Sequence, residues 1–294
     1  MFYFIVITLL TLCGPVVADT ILNGDLTQGG MVFGETKPGF EITLDGKPIR
    51  VSCKVYFFLC VSRYEKTNSE LIIRDLDGST QKRNLKIKQR KFKIQRIDGL
   101  PKKFVSPPKH ILSRIREENK KIKKVRLFDR DEVFFRSGFI MPAQGRISGV
   151  YGSQRILNGQ PRQPHFGIDI AAPSGAKVVA PADGIVVLAE ADLYLSGGTV
   201  ILDHGHGLTS AFLHLKKILV KKGDLVVQSD VLGLVGSTGR STGPHLDHFP
   251  HRLCNQSHWL GVSRTQFSIC LFTRIINSFI SASCMPLFGN SNAG

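Results

Sequence analysis

Apolar residues in this chain come mostly in short runs, and two different periods organise them. Between residues 20 and 97, alternating stretches are separated by turn residues. In Gly39-Phe-Glu-Ile-Thr-Leu-Asp-Gly-Lys-Pro-Ile-Arg-Val, the Asp45-Gly46 pair divides two such runs as a tight hairpin does. A second pair, 71–74 and 85–88, flanks Asp77-Gly78-Ser79. The pattern predicts a small β domain over 19–98. After Gly99-Leu-Pro the period lengthens. Ser106 stands before Pro107 as an N-cap precedes a first-turn proline, and Ile111, Ile115, Ile122 and Val125 recur at helical spacing on a charged segment. One amphipathic helix within a basic linker, 99–138, is expected, docked by a narrow stripe.

From Phe139 the texture changes again. Apolar runs at 178–180, 184–188, 199–202, 225–227 and 231–235 are bounded by Pro173-Ser-Gly, Pro181-Ala-Asp-Gly, Ser196-Gly-Gly, His204-Gly-His-Gly and Lys222-Gly-Asp. Strands this short, with turns every eight to twelve residues or so and no helical segment between them, predict an antiparallel all-β domain of sandwich or barrel-like form. The fold class is therefore mainly β. The C-terminal domain spans 139–249, and its polar groups must converge on one face or groove.

Composition then narrows the setting. The chain has 294 residues and a formal charge of +16, with the excess concentrated between Lys82 and Lys124. That basic face either meets an anionic partner or stays solvated. Residues 1–18 are apolar through 2–12, turn at Gly14-Pro15 and end in Val16-Val17-Ala18, the pattern of a signal peptide. No Lys or Arg precedes the apolar core, so an uncleaved anchor is the alternative. Export excludes nucleic acid as the ordinary partner and favours an anionic wall or membrane surface. Cys53 and Cys60 lie at an odd offset and pair only if the chain turns between them; no Cys-x-x-Cys pattern offers thiolate ligands.

The chemistry sits between 149 and 247. His165 and Asp169 are four apart, an even offset that would put both on one face of a strand, within reach of one ion. Zinc accepts nitrogen and oxygen donors together. Further motifs follow: Gly149-Val-Tyr-Gly-Ser-Gln-Arg-Ile-Leu-Asn-Gly, Ala180-Pro-Ala-Asp-Gly, Asp203-His-Gly-His-Gly, Phe212-Leu-His-Leu and Gly236-Ser-Thr-Gly-Arg-Ser-Thr-Gly-Pro-His. In this order they resemble the lysostaphin-type zinc metallopeptidases, which cut peptidoglycan cross-bridges. The resemblance implies His165 and Asp169 as zinc ligands, and His214 and His245 as the pair that orients and deprotonates the zinc-bound water.

The third ligand departs from the usual His-x-His ending, since the text here is His245-Leu-Asp-His-Phe. An offset of two puts Asp247 on the right face; His248 is the fallback and would need a bulge. His204 and His206 read as structural turn residues. From 250 to 294 there is no Asp, Glu or Lys, and the expected closing strand is missing, which points to an out-of-frame tail. The expected function is an exported, periplasmic or cell-envelope zinc endopeptidase acting on peptidoglycan peptides. A catalytically impaired wall-binding or amidase-regulating module of the same fold is the alternative. Ala180-Pro-Ala-Asp-Gly-Ile-Val also resembles lipoyl and biotinyl carriers, but the modifiable lysine of those domains has no counterpart here.

Overall fold

In the computed structural model, residues 20–252 are described; the expected signal segment and the tail beyond Arg252 lie outside them. The first part of the chain builds two small antiparallel sheets. One holds the strands Ile21–Gly24, Met31–Glu35 and Tyr56–Cys60, the other Glu41–Leu44, Lys47–Ile49, Asn68–Arg74 and Thr80–Lys86. Both hairpin readings locate real turns. Asp45 and Gly46 have φ of 49° and 73°, which the two central positions of a type I′ turn require, and Arg74 pairs with Thr80 across Asp77-Gly78-Ser79. Alternation sends Val32, Ile42, Phe57, Leu59, Leu71, Ile73 and Leu85 into a shared core. Cys53 is a free, exposed thiol, so it forms no disulfide with Cys60.

The helical segment differs from expectation at its start. A single turn, Lys102–Val105, comes first, and the main helix runs Lys109–Val125 behind Pro108. Ser106 caps nothing ahead of it; its backbone N–H instead bonds back to the Lys102 carbonyl. Proline at 108 is the physical reason: it disfavours helical geometry at Pro107, the first helical position a Ser106 cap needs, so the helix begins only behind Pro108. The C-terminal half of the stripe docks as expected: Ile122 and Val125 pack on Val187, Leu188, Leu193, Ile201 and Ala211 of the C-terminal sheet. Part of the basic charge is neutralised here, since Arg114 pairs with Glu118 and Asp192 and Lys121 with Glu190. No helix among the described residues is long and apolar enough to cross a membrane.

The C-terminal domain is built on one large antiparallel sheet. Its central strands run in the order Gly184–Leu193, Gly197–Asp203, Leu208–Ile218, His245–Arg252, Ile168–Ala171 and Arg146–Gly149, and Lys177–Val179 with Val231–Val235 folds against Leu208–Ile218. Ile170, Val186, Val200, Leu202, Phe212, Leu232, Val235 and Leu246 fill the core beneath it. The strand His245–Arg252 lies between Ile168–Ala171 and Leu208–Ile218, so backbone pairing continues three residues past the expected limit of 249.

Aromatic packing and a strand pairing, among other contacts, tie the first part of the chain to this domain. Phe135, 1% exposed, stands edge-on to Phe58 at 5.1 Å and to His206 at 5.3 Å, while Phe33 stacks on Phe135 and Phe139 at 6.0 Å each. The second is a pairing that alternation does not announce. The short strand Ile94–Ile97 lies parallel to Gln154–Leu157, with Gln95 opposite Arg155. Residues 94–97, expected to close the first domain, thus extend a sheet of the second.

Candidate metal centre

Two adjacent strands bring the acidic residues together. Asp169 on Ile168–Ala171 pairs directly with Asp247 on His245–Arg252, an arrangement that sets two like charges side by side in a buried place. His165 joins them from outside either strand. It precedes Ile168–Ala171 by three residues and is held by backbone bonds, its N–H to the Ser153 carbonyl at 2.8 Å and its carbonyl from the Gly152 N–H at 2.6 Å. The even-offset argument for one strand face therefore does not explain the pair; a sharp approach through Phe166 and Gly167 does. At Gly167 a side chain would run into the His248 carbonyl at 2.6 Å, so glycine is needed there.

One donor atom from each of His165, Asp169 and Asp247 lies within 4.8 Å of the others, and all three residues are buried. His165 Nε2 is 3.1 Å from Asp247 Oδ1 and 3.5 Å from Asp169 Oδ1. Asp169 Oδ1 is buried yet makes no hydrogen bond, the condition of an oxygen reserved for another partner. One imidazole and two carboxylates, converging with an unsatisfied oxygen, fit a small divalent cation and match zinc's donor preferences. Burial pushes the Asp247 carboxyl up, but the hydrogen bond to His165 and the charges of His165 and Arg155 outweigh it and hold its pKa below the usual value. His248 does not join the cluster. It faces the core, stacks on Phe212 at 4.9 Å and donates from Nδ1 to the Ala211 carbonyl at 3.1 Å. Alternation along the strand sends 247 and 248 to opposite faces, and no bulge intervenes.

His214 and His245 meet beside this cluster, their ring centroids 4.8 Å apart. His214 interrupts the strand Leu208–Ile218 with φ of 65°, rare for a residue with a Cβ, and its N–H bonds to the Ser196 carbonyl. The register against Gly197–Asp203 shifts at this place, and the irregularity re-aims the side chain. Both rings are fixed by the same device. His214 Nδ1 lies 2.7 Å from the Thr238 carbonyl and His245 Nδ1 lies 2.8 Å from the Gly243 carbonyl. A carbonyl only accepts, so each neutral ring carries its proton on Nδ1 and keeps the Nε2 lone pair free. Burial, reinforced by the neighbouring His245, lowers the His214 pKa to about 4, so this ring stays neutral near pH 7.

His204 and His206 sit apart at the turn after Gly197–Asp203. His204 is fully buried between the Asp183 carbonyl, 2.6 Å from Nδ1, and Ser210 Oγ, 2.9 Å from Nε2. Both nitrogens are committed, and the ring belongs to the scaffold.

Two residues of the centre were not singled out from sequence. Arg155 forms ion pairs with both carboxylates, and Gly149 leaves room for one of them, since a Cβ there would meet Asp169 Oδ2 at 2.0 Å. Both lie inside the 149–159 motif, but neither residue type signals a ligand by itself. Gly149→Ala is expected to displace the Asp169 carboxylate and weaken zinc binding by about ten-fold, the scale seen when groups that orient metal ligands are changed. Chelator competition measures it, and an unchanged affinity would show that the carboxylate moves freely.

Residues 163–257 match the model of peptidase family M23. The peptidoglycan DD-endopeptidase ShyA of Vibrio cholerae is 42% identical over 104 residues, 35% of this chain and 24% of ShyA. The DD-carboxypeptidase/endopeptidase Mpg of Neisseria gonorrhoeae is 42% identical over 111 residues, 38% of this chain and 25% of Mpg. The alignments thus span about a quarter of these relatives. A crystal structure of a candidate M23 peptidase from Pseudomonas aeruginosa superposes with a TM-score of 0.53 and 26% identity, covering 76% of this chain and 89% of that one. The stretch that carries these five residues, 163–257, is thus similar to peptidase family M23.

Proposed function

We propose that this protein is an exported zinc-dependent endopeptidase that hydrolyses peptide cross-links of bacterial peptidoglycan. The observation that carries the proposal is one convergence: three buried donor atoms within 4.8 Å, beside two imidazoles that both keep Nε2 free. His165, Asp169 and Asp247 would hold the metal. Zinc bound there supplies Lewis acidity, bringing the pKa of water down to roughly 7 and polarising a peptide carbonyl.

The remaining chemistry falls to the chain's own side chains. A neutral imidazole with a free Nε2 accepts the proton of the attacking water and later returns it to the leaving amine. The second imidazole, through its own Nε2 lone pair, accepts a hydrogen bond from the same water and orients it for attack. His214, buried and held neutral, suits the first task, and the half-buried His245 suits the second. Exposed Ile147, Val150 and Phe166 lie on the segments around the centre and offer apolar contacts to a peptide stem. The names of ShyA and Mpg support peptidoglycan as substrate. The impaired-module alternative predicts lost ligands, whereas all five candidate residues are present.

Purified sacculi incubated with the full chain should release new peptide ends, cease to do so in EDTA, and resume with equimolar zinc. Release that is indifferent to EDTA would overturn the metal mechanism. His214→Ala and His245→Ala should each lower hydrolysis by about 10²–10⁴-fold, the usual contribution of a general acid or base, with zinc content unchanged by metal analysis.

A further inference from the structure

We infer that Arg155 is a positioning residue of the metal centre: its guanidinium takes the outer oxygen of both carboxylates, leaving the inner oxygens to the metal. This inference rests on the zinc-centre reading above. The division of atoms is explicit. Asp169 Oδ2 and Asp247 Oδ2 face Arg155, the first bonded to one terminal nitrogen and the second 3.8 Å from the other. Asp169 Oδ1 and Asp247 Oδ1 face His165 Nε2 instead. A planar fork with two terminal nitrogens can hold two carboxylates at once; an ammonium is a point charge and cannot fix both orientations. Asp169 and Asp247 are also direct neighbours across a strand pair, so without a shared cation their charges would push the carboxylates apart.

The arginine is itself held from outside the peptidase sheet. Its strand Gln154–Leu157 is flanked by the parallel strand Ile94–Ile97, with Gln154 N–H bonded to the Lys93 carbonyl and Asn158 N–H to the Ile97 carbonyl. On its other side it pairs with Gln160–Pro161. Just before this strand, Arg63 Nε donates to the Gly152 carbonyl at 2.8 Å, and the Gly152 N–H donates to His165. Residues 63 and 93–97 of the first part of the chain thus brace the loop and strand that carry the fork.

The test compares wild-type full chain with Arg155→Lys, which keeps the charge and loses the fork. Zinc affinity is read by chelator competition, metal geometry by the visible absorption of the Co²⁺-substituted protein, and folding by the melting temperature in EDTA. Positioning predicts zinc binding weakened by about ten-fold or more and an altered cobalt spectrum in a folded protein. Should the lysine variant fail to fold, Arg155→Gln is read by the same two measurements. Affinity within two-fold of wild type and an unchanged cobalt spectrum, even with a lowered melting temperature, overturns the inference and leaves Arg155 a structural ion pair. A wild-type chain that binds no zinc overturns the metal-centre reading, and this inference falls with it.

Discussion

Asp247→Ala is expected to empty the metal centre and abolish hydrolysis. Only three side chains among the described residues converge there, and catalytic zinc sites use three protein ligands, so losing one leaves no adequate set. Zinc content should fall from near one per chain to near zero. Without the metal the pKa of water rises far above neutrality, and a rate loss of about 10⁴-fold or more follows. The variant should still fold, because Arg155 retains Asp169 as a partner. Asp247→His is the informative companion: imidazole is also a zinc donor, and this change restores the His-x-His ending usual in the family. It should keep zinc and part of the activity. Full zinc content in Asp247→Ala would remove Asp247 from the ligand set.

Acid should destabilise the metal-free fold between pH 6.5 and 4. His204 and His248 are buried, and burial lowers each pKa from 6.5 to about 4. The sign follows from linkage. Between these values the unfolded chain binds protons that the folded chain refuses, so stability falls as pH falls, and the loss levels off near pH 4. Each histidine accounts for at most about 3 kcal/mol over that window, against a total stability of roughly 5–15 kcal/mol for a domain. Denaturant midpoints of the EDTA-treated chain at pH 7.5, 6.0 and 4.5 measure it. His204→Asn, whose amide can still donate to the Asp183 carbonyl, should flatten the slope. A midpoint constant from pH 7.5 to 4.5 would show that both rings charge freely in the folded protein.

The sequence was most legible where a residue's chemistry and its local geometry coincide. Asp45-Gly46 predicts a hairpin because both positions need positive φ, and the turn is there. The run 231–235 predicts a strand, and Val231–Val235 is one. An offset of two from His245 favours Asp247 over His248, and in the strand pair Asp247 lies opposite Asp169. The strand Leu208–Ile218 escaped notice because it is buried on both faces and lacks alternation, and His214 breaks its regularity. The Ser106 cap failed because two successive prolines move the helix start to Lys109.

What the sequence determined by itself was the inventory: a mainly β chain, a helix with an apolar stripe, and five chemistry-bearing side chains in motifs of a recognisable order. Those features depend on residue type and on separations of a few positions, which survive without knowledge of the fold. Tertiary structure alone decided how the inventory meets. It brought His165 to the carboxylates from outside their strands, turned His214 inward through a left-handed residue, and laid residues 94–97 beside Arg155. Such contacts join positions separated by up to 82 residues, as His165 and Asp247 are, and no local period encodes them. They arise only when the buried faces of distant strands find one shared core.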